Sequence, residues 1–182
     1  MVKFISSEQV LPLRSAQLRG GQPLEACVFA TDALPGAFHL GCFAGQELVS
    51  VASFFPQMLE GAEEAAPRAG ESAASGAGDD IPPGAAEGAA QNLTEGAAQN
   101  SVETAYQLRG MATAAGYGGQ GYGTELLKFA IEQLKVTDAT YLWCNAREAA
   151  VPFYEKNGFN KMSPKFEIAG IGPHYEMLKK LR

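Results

Sequence analysis

The sequence contains the stretch Gly116-Tyr117-Gly118-Gly119-Gln120-Gly121-Tyr122-Gly123-Thr124, in which five glycines fall within eight positions. A predicted strand at 104–113 precedes it, and a predicted helix at 124–135 follows it. Because glycine has no Cβ, the backbone can turn tightly here and approach a ligand closely. The first N–H groups of the helix are unpaired and lie at the positive end of its dipole. The stretch therefore predicts a phosphate-binding site, with a plain glycine turn as the alternative.

Two other glycine motifs can be compared with this stretch. A Walker A loop is excluded because Thr124 stands where that motif has its lysine. The dinucleotide fingerprint G-x-G-x-x-G is matched by residues 116–121, and Asp138 lies about twenty residues further on. However, Asp138 precedes the next predicted strand, whereas the ribose-binding acid belongs at that strand's carboxyl end, where Asn145 stands. A dinucleotide-binding protein therefore remains the weaker alternative.

A second informative stretch is Asn145-Ala146-Arg147-Glu148-Ala149-Ala150-Val151-Pro152-Phe153-Tyr154-Glu155-Lys156-Asn157-Gly158-Phe159. Its N-A-R, F-Y-E-K and N-G-F elements resemble the GCN5-related N-acetyltransferases (GNAT). The acetyl-CoA motif of that family, Q/R-x-x-G-x-G/A, is matched by residues 118–123 except at its first position, where Gly118 replaces the polar residue. Residues 171–177 resemble the family's closing strand. The resemblance implies an α+β fold with a mixed, mainly antiparallel sheet and flanking helices.

The resemblance also implies a function and a set of site residues. It implies an N-acetyltransferase that passes the acetyl group of acetyl-CoA directly to a small-molecule or peptide amine in a ternary complex. The residues expected to bind acetyl-CoA are Met111, Ala112, Thr113, Gly118, Gly119, Gln120, Gly121, Tyr122, Gly123, Thr124, Asn145 and Phe153. Tyr154 is expected to donate a proton to the departing thiolate, because a phenol with a free pKa of about 10 stays protonated at neutral pH. The plainer alternative makes Tyr154 a half-buried helix aromatic.

The sequence does not assign a general base. Four side chains lie on segments able to border an acceptor cleft: His39, Glu103, His174 and Glu176. His174 is the most suitable of them because histidine titrates near neutral pH. A relay of water molecules is the alternative to any single base. Arg14 and Arg19 lie near the region that sets acceptor choice in the family, and either hold an anionic acceptor or are simply solvated.

Regular patterns surround these motifs. The predicted strands are 38–44, 47–55, 104–113 with a break at Gly110, 140–145, 166–168 and 174–178. Residues 7–19 are predicted to be helical, with Pro12 limiting the helix to its early turns. The helix at 124–135 has an apolar face, and a second helix begins near Pro152 and ends before Gly158. This order predicts a single domain with a mixed sheet.

One segment, at about 60–101, differs in composition from the rest. Residues 61–100 hold seven acidic residues against Arg68 alone and repeat E-G-A-A-Q-N at 87–92 and 95–100. With few large aliphatic residues, the segment cannot bury enough apolar surface to offset the entropy of ordering it. We expect a flexible insertion within the single domain at 1–182. The rest of the chain has thirteen acidic and thirteen basic residues and is neutral.

Composition excludes several other classes of function. The neutral remainder gives no basic face for nucleic acid, and no apolar run is long enough to span a membrane. Three widely spaced cysteines and two histidines support no metal site and are expected to include buried, reduced thiols. We expect a cytoplasmic enzyme, with a homodimer as a further possibility from the family resemblance. A non-catalytic acyl-CoA-binding or sensing module is the alternative function.

Overall fold

The computed structural model describes residues 1–59 and 104–182. The strands are β1 (Val2–Ile5), β2 (Phe38–Ala44), β3 (Glu47–Pro56), β4 (Thr104–Thr113), β5 (Ala139–Arg147), β6 (Asn160–Lys161), β7 (Phe166–Ile168) and β8 (Gly172–Lys180). The helices are α1 (Ser7–Leu18), α2 (Tyr122–Val136) and α3 (Val151–Lys156). Short 3₁₀ turns occupy Leu24–Cys27, Ala30–Ala33 and Glu148–Ala150. The insertion predicted at about 60–101 lies outside the described residues.

The strands form one mixed sheet in the order β1-β2-β3-β4-β5-β8-β6, with β7 also paired to β8. Among the described strands, β4 and β5 are the one parallel pair. Their register runs from Thr104 opposite Ala139 to Gln107 opposite Trp143. Beyond that point β4 continues to Thr113 and β5 to Arg147, so the two strands separate at their carboxyl ends. The predicted α+β class is confirmed, and the sheet is not doubly wound.

The main core lies between the sheet and α2. The apolar residues predicted to share one face of this helix are all buried: Leu126, Leu127, Ala130, Ile131 and Leu134. They join strand residues such as Phe54 and Leu142 in one cluster, which also takes in Tyr154 of α3. The sequence pattern thus fixes α2 against the sheet, and with it the position of the glycine stretch at the helix start.

Helix α1 (Ser7–Leu18) matches the predicted range of 7–19, but Pro12 does not limit it to its early turns as expected. The helix runs to Leu18, because Pro12 lies on its exposed side and costs one backbone hydrogen bond. Its start is held by Gln9, whose side-chain oxygen accepts from the Ser6 amide at 2.9 Å. Val10 and Arg14 on its buried side anchor the helix to the sheet. Tertiary packing therefore outweighs the local penalty of proline. Strand β1 at the sheet edge was not predicted either.

Strand β4 continues through Gly110 instead of breaking there. Gly110 has a φ of +64°, and the register of β3 and β4 shifts between Val51 and Ser53, as at a β-bulge. A Cβ on Gly110 would lie 2.6 Å from Nε of Arg14 and 2.9 Å from the Phe29 ring. Glycine is thus required both by the left-handed backbone and by the side chains packed against it.

Candidate active site

A first cavity, of about 300 Å³, lies between the end of β4, the glycine stretch and α3. All the predicted acetyl-CoA residues line it except Gln120 and Asn145. Gly116, Gly119 and Gly121 have φ values of +85°, +75° and +91°, and an added Cβ there would meet open space. At Gly123, a Cβ would come within 3.1 Å of Met111 Cε and 3.4 Å of Phe153, so glycine lets α2 begin close to both.

The amide groups of residues 118–124 point to an anionic ligand. The first helical bond of α2 is donated by the Glu125 amide to the Gly121 carbonyl at 2.9 Å. Within the part of the chain that the structure describes, the amides of residues 118–124 have no hydrogen-bond acceptor. These donors lie at the positive end of the α2 dipole, where phosphate oxygens bind. The donor set therefore fits the pyrophosphate of a coenzyme.

The side chains of the glycine stretch hold its own shape. Gln120 donates from Nε2 to the Gly116 carbonyl at 2.7 Å, so the structure uses this side chain within the loop. The Tyr117 hydroxyl donates to Glu47 at 2.7 Å, and this hydrogen bond raises the pKa of Tyr117. The first contact connects two parts of the turn, and the second connects the turn to Glu47, the first residue of β3.

The lining of the first cavity includes three residues that the sequence did not single out: Tyr117, Ala150 and Lys156. Lys156 is the one charged side chain among the described residues of this lining. It follows Phe153 by three positions, a spacing that places both on one side of a helix. Because Phe153 is predicted to contact the coenzyme, this spacing could have predicted that Lys156 lines the same cavity.

A second cavity, of about 510 Å³, lies beside the first and is lined by residues of both separated strands. Asn145 lines this cavity and not the first one, because it follows the point at which β5 leaves β4. Its other walls include Gln57, Gln107 and the apolar side chains of Phe29 and Trp143. Met111, Ala150 and Tyr154 line both cavities. A ligand in the first cavity and one in the second would therefore meet beside these three residues.

Tyr154 lies at this junction in an apolar setting. Its side chain is 6% exposed, and its ring packs edge-on against Phe153 and Phe159. Its hydroxyl is 3.8 Å from the sulfur of Met111. Burial raises the pKa of Tyr154 well above its usual value, and the neighbouring Cys144 thiol raises it further. The hydroxyl therefore remains protonated across the physiological range and can act as a proton donor.

Of the four candidate bases, the structure places His174 in the second cavity. Its Nδ1 lies 2.7 Å from the Gly172 carbonyl, which favours the tautomer with Nε2 free to accept a proton. His39 is buried elsewhere, with its ring nitrogens against Ser53 and the Asp32 carbonyl. Glu176 does not line the second cavity, and Glu103 lies outside the described residues.

The sequence suggested that Arg14 either holds an anionic acceptor or is solvated, and the structure shows neither. Arg14 is fully buried and makes a two-pronged ion pair with Asp32, at 2.6 and 2.8 Å. It also donates to Ser53 at 2.5 Å. Burial alone would raise the pKa of Asp32, but hydrogen bonds from Arg14 and the Phe29 amide outweigh it and lower that pKa. Arg14 thus serves the fold by joining α1 to the turn at Ala30–Ala33 and to β3.

Other features of the described residues bear on the choice of function. Cys27, Cys42 and Cys144 are all buried and unpaired. Within residues 1–59 and 104–182, no group of three or more His, Cys, Asp or Glu side chains is placed to hold a metal ion. None of the helices in those ranges has the length and apolar character needed to cross a membrane.

Two cavities that share lining residues at the opening of a parallel strand pair, one of them bordered by a glycine loop at a helix start, fit a transferase for two substrates. A sequence model of the acetyltransferase (GNAT) domain matches residues 86–181, more than half of the chain. The chain belongs to this family and is an acyltransferase of the N-acetyltransferase type. The predicted family and enzyme class are therefore confirmed.

Individual relatives agree with this assignment. An uncharacterised N-acetyltransferase of Bacillus subtilis, YitI, is 34% identical over 181 residues, which cover 100% of this chain and 96% of the relative. The fold is shared with FeeM, an N-acyl amino acid synthase from uncultured soil microbes, at a TM-score of 0.64, 13% identity and coverage of 100% and 95%. It is also shared with an aminoglycoside 6'-N-acetyltransferase complexed with coenzyme A, at a TM-score of 0.64, 11% identity and coverage of 100% and 97%.

Proposed function

We propose that this enzyme binds acetyl-CoA in the first cavity and transfers its acetyl group directly to an amine that enters through the second. The observation that carries the proposal is the pair of cavities that share Met111, Ala150 and Tyr154. Two substrates bound in these cavities meet there and react without a covalent enzyme intermediate. Holding both reactants in one place supplies a large part of the rate enhancement.

The chain offers a continuous set of contacts for the donor. Acetyl-CoA supplies the reactive thioester. The free amides of residues 118–124 bind the pyrophosphate, and Lys156 adds a positive charge beside it. Met111, Ala112 and Thr113, at the end of β4, lie along the same cavity and contact the pantetheine arm. Phe153 packs against that arm from α3. Asn145 contacts the reacting end from the second cavity.

The chemical step forms one C–N bond and breaks one C–S bond. The neutral amine attacks the carbonyl carbon, the sulfur leaves as a thiolate, and Tyr154 gives it a proton. The attacking nitrogen must lose a proton, and His174 is the side chain in the second cavity best suited to accept it, directly or through water. His174 then releases its proton to solvent and Tyr154 recovers one from solvent, so the enzyme ends each turnover unchanged.

A thermal-shift titration with acetyl-CoA, CoA and NAD in parallel tests the donor. A ligand at about a hundred times its dissociation constant stabilises the folded state by about 2.7 kcal/mol, which raises the melting temperature by several degrees. We expect this shift with acetyl-CoA and CoA and none with NAD. Release of free thiol in the presence of an amine panel then reports turnover. Stabilisation by NAD alone would contradict the assignment of the first cavity.

A further inference from the structure

The second cavity is bordered by positive charge that no acidic residue of its described lining balances. Arg19, Arg109 and Arg147 all line it. Among the described residues of its lining, no aspartate or glutamate occurs. The arginines come from three separate places in the chain, namely the end of α1, the bulged part of β4 and the last residue of β5. Their convergence is therefore a product of the fold and not of one charged helix face.

The contacts of these arginines leave their charges available. The guanidinium carbons of Arg109 and Arg19 lie 4.3 and 5.8 Å from the centre of the Phe29 ring. Neither side chain forms an ion pair or a hydrogen bond within the described part of the chain. Among the described residues, Arg147 donates to the Leu18 carbonyl alone, at 3.3 Å. Three guanidinium groups thus border the cavity, and most of their N–H donors are available to a ligand.

The neighbourhood of Arg109 is electrostatically unfavourable without an anion. Burial lowers the pKa of Arg109, and the positive charges of Arg19 and Arg14 lower it further. The nearby carboxylate, Asp32, is already engaged by both terminal nitrogens of Arg14. The guanidinium carbons of Arg14 and Arg109 lie 4.1 and 4.3 Å from the centre of the Phe29 ring, so both cations contact one aromatic side chain. A bound anion would offset this repulsion and would find Arg109 already oriented.

The remaining walls fit a small organic molecule. Trp143, Ile168 and Ile171 contribute apolar surface, and the volume of about 510 Å³ is that of a small-molecule site. We infer that the acceptor is a small amine that also carries a carboxylate or phosphate, bound by Arg109 and Arg19 with Arg147 beside them. This inference rests on the proposed function, since it places the amine of the same molecule at the junction with the first cavity.

Matched pairs of amines test the inference in the intact chain, with residues 60–103 included. L-Amino acids are compared with their own carboxamides, and phosphoethanolamine with ethanolamine, each with acetyl-CoA and thiol detection. An amino acid amide has a less basic amine than the amino acid, so more of it is in the neutral, nucleophilic form at neutral pH. Without recognition of the carboxylate, the amide should therefore be the better acceptor. We expect the anionic member to be used better by about 10- to 100-fold in kcat/KM, the range of one hydrogen bond to a charged group. The two sets of pairs distinguish carboxylate from phosphate.

Substitutions then locate the anion. Arg109→Gln and Arg19→Gln should each remove most of the preference for the anionic member and change the use of the neutral one little. Arg182→Gln is the matched control, because Arg182 pairs with Asp138 beyond the other end of β5 and lines neither cavity. Binding of acetyl-CoA, measured by thermal shift, should be retained in all three variants.

A binding measurement decides the matter even if no amine of the panel reacts. N-Acetyl amino acids and N-acetyl amino amides, which are product analogues, are titrated into the CoA-bound protein by calorimetry. Binding of the acids alone, lost in Arg109→Gln, supports the inference. Equal or absent binding of acids and amides, or equal turnover of both members of each pair, would overturn it. Failure to bind acetyl-CoA would instead overturn the proposed function, so the two failures are distinguishable.

Discussion

At the residue scale, the position of Tyr154 makes a sharp prediction about turnover. Tyr154→Phe keeps the ring contacts with Phe153 and Phe159 and removes only the hydroxyl. If that hydroxyl protonates the leaving thiolate, kcat should fall by about 100-fold or more, the usual contribution of a general acid. Affinity for acetyl-CoA should be unchanged, because the phosphate contacts lie elsewhere in the first cavity. Steady-state kinetics and calorimetry on the same samples measure the two quantities.

Tyr175→Phe is the matched control for this substitution. Tyr175 is a tyrosine of β8 that lines neither cavity, so kcat should stay within about twofold of the unmodified enzyme. The pKa of Tyr154 is raised above its usual value of about 10. Tyr154 should therefore lose its proton, and with it the ability to act as an acid, only at a pH above about 10. A loss of rate between pH 8 and 9 that Tyr154→Phe abolishes would contradict the raised pKa, and a kcat that Tyr154→Phe leaves unchanged would contradict the acid role.

At the scale of elements, the buried pair of Arg14 and Asp32 joins α1 to the turn before β2 and β3. Asp32→Asn should lower the free energy of unfolding by about 3 kcal/mol at pH 7, since it leaves Arg14 buried without its counter-charge. The folded pKa of Asp32 is lowered, so the pair stabilises fully above the unfolded value of about 4 and loses this effect as pH falls through the folded one. The difference in free energy of unfolding between Asp32→Asn and the unmodified protein, measured by urea titration, should therefore become smaller below about pH 4.

Asp138→Asn provides the comparison for that measurement. Asp138 also pairs with an arginine, Arg182, but its side chain is 82% exposed. Its φ of +62° is one that asparagine adopts as readily as aspartate. An exposed pair contributes at most about 1 kcal/mol, so this variant should change stability little at any pH. A similar loss in both variants would show that charge removal as such, and not the buried pair, is responsible.

The elements that the sequence predicts well are those whose signal is local. The apolar face of α2, the neighbouring strands at 38–44 and 47–55 and the glycine stretch each show a short pattern that the structure keeps. The elements that it predicts poorly depend on distant partners. Helix α1 continues through Pro12 because Arg14 reaches Asp32, and β4 continues through Gly110 because Arg14 and Phe29 fill the space beside it.

The same distinction applies to the candidate site. The motif residues of the first cavity lie within a few short stretches of sequence. The family resemblance of those stretches is therefore enough to predict nearly all of them as one site. The second cavity draws Arg19, Arg109 and Arg147 from parts of the chain far apart in sequence. No short pattern joins them, and only the separation of β4 from β5 makes them neighbours. Acceptor recognition was for this reason beyond the sequence.

At the scale of the whole molecule, the register of β3 and β4 predicts that residues 60–103 can be replaced by a short loop. Pro56 pairs with Tyr106, and the Gln57 amide donates to the Ala105 carbonyl at 3.0 Å, so the two strands already meet as a hairpin. Leu59 must be kept, because it is buried against Ala105 and Trp143, and its amide donates to the Tyr141 hydroxyl at 3.2 Å.

A chain with about six loop residues in place of 60–103 should fold and bind acetyl-CoA as before. The loop becomes about seven times shorter, which corresponds to about three successive halvings of its length. Each halving lowers the entropic cost of closing the loop by about 0.6 kcal/mol, so the free energy of unfolding should rise by about 1–2 kcal/mol. The same chain carrying Leu59→Ala should lose about 2 kcal/mol or more, because it leaves a cavity beside Trp143. Urea titration and the acetyl-CoA thermal shift measure both effects. If the shortened chain fails to fold while Leu59 is intact, residues 60–103 belong to the structural core of the domain, and the single domain with an insertion at about 60–101 has to be abandoned.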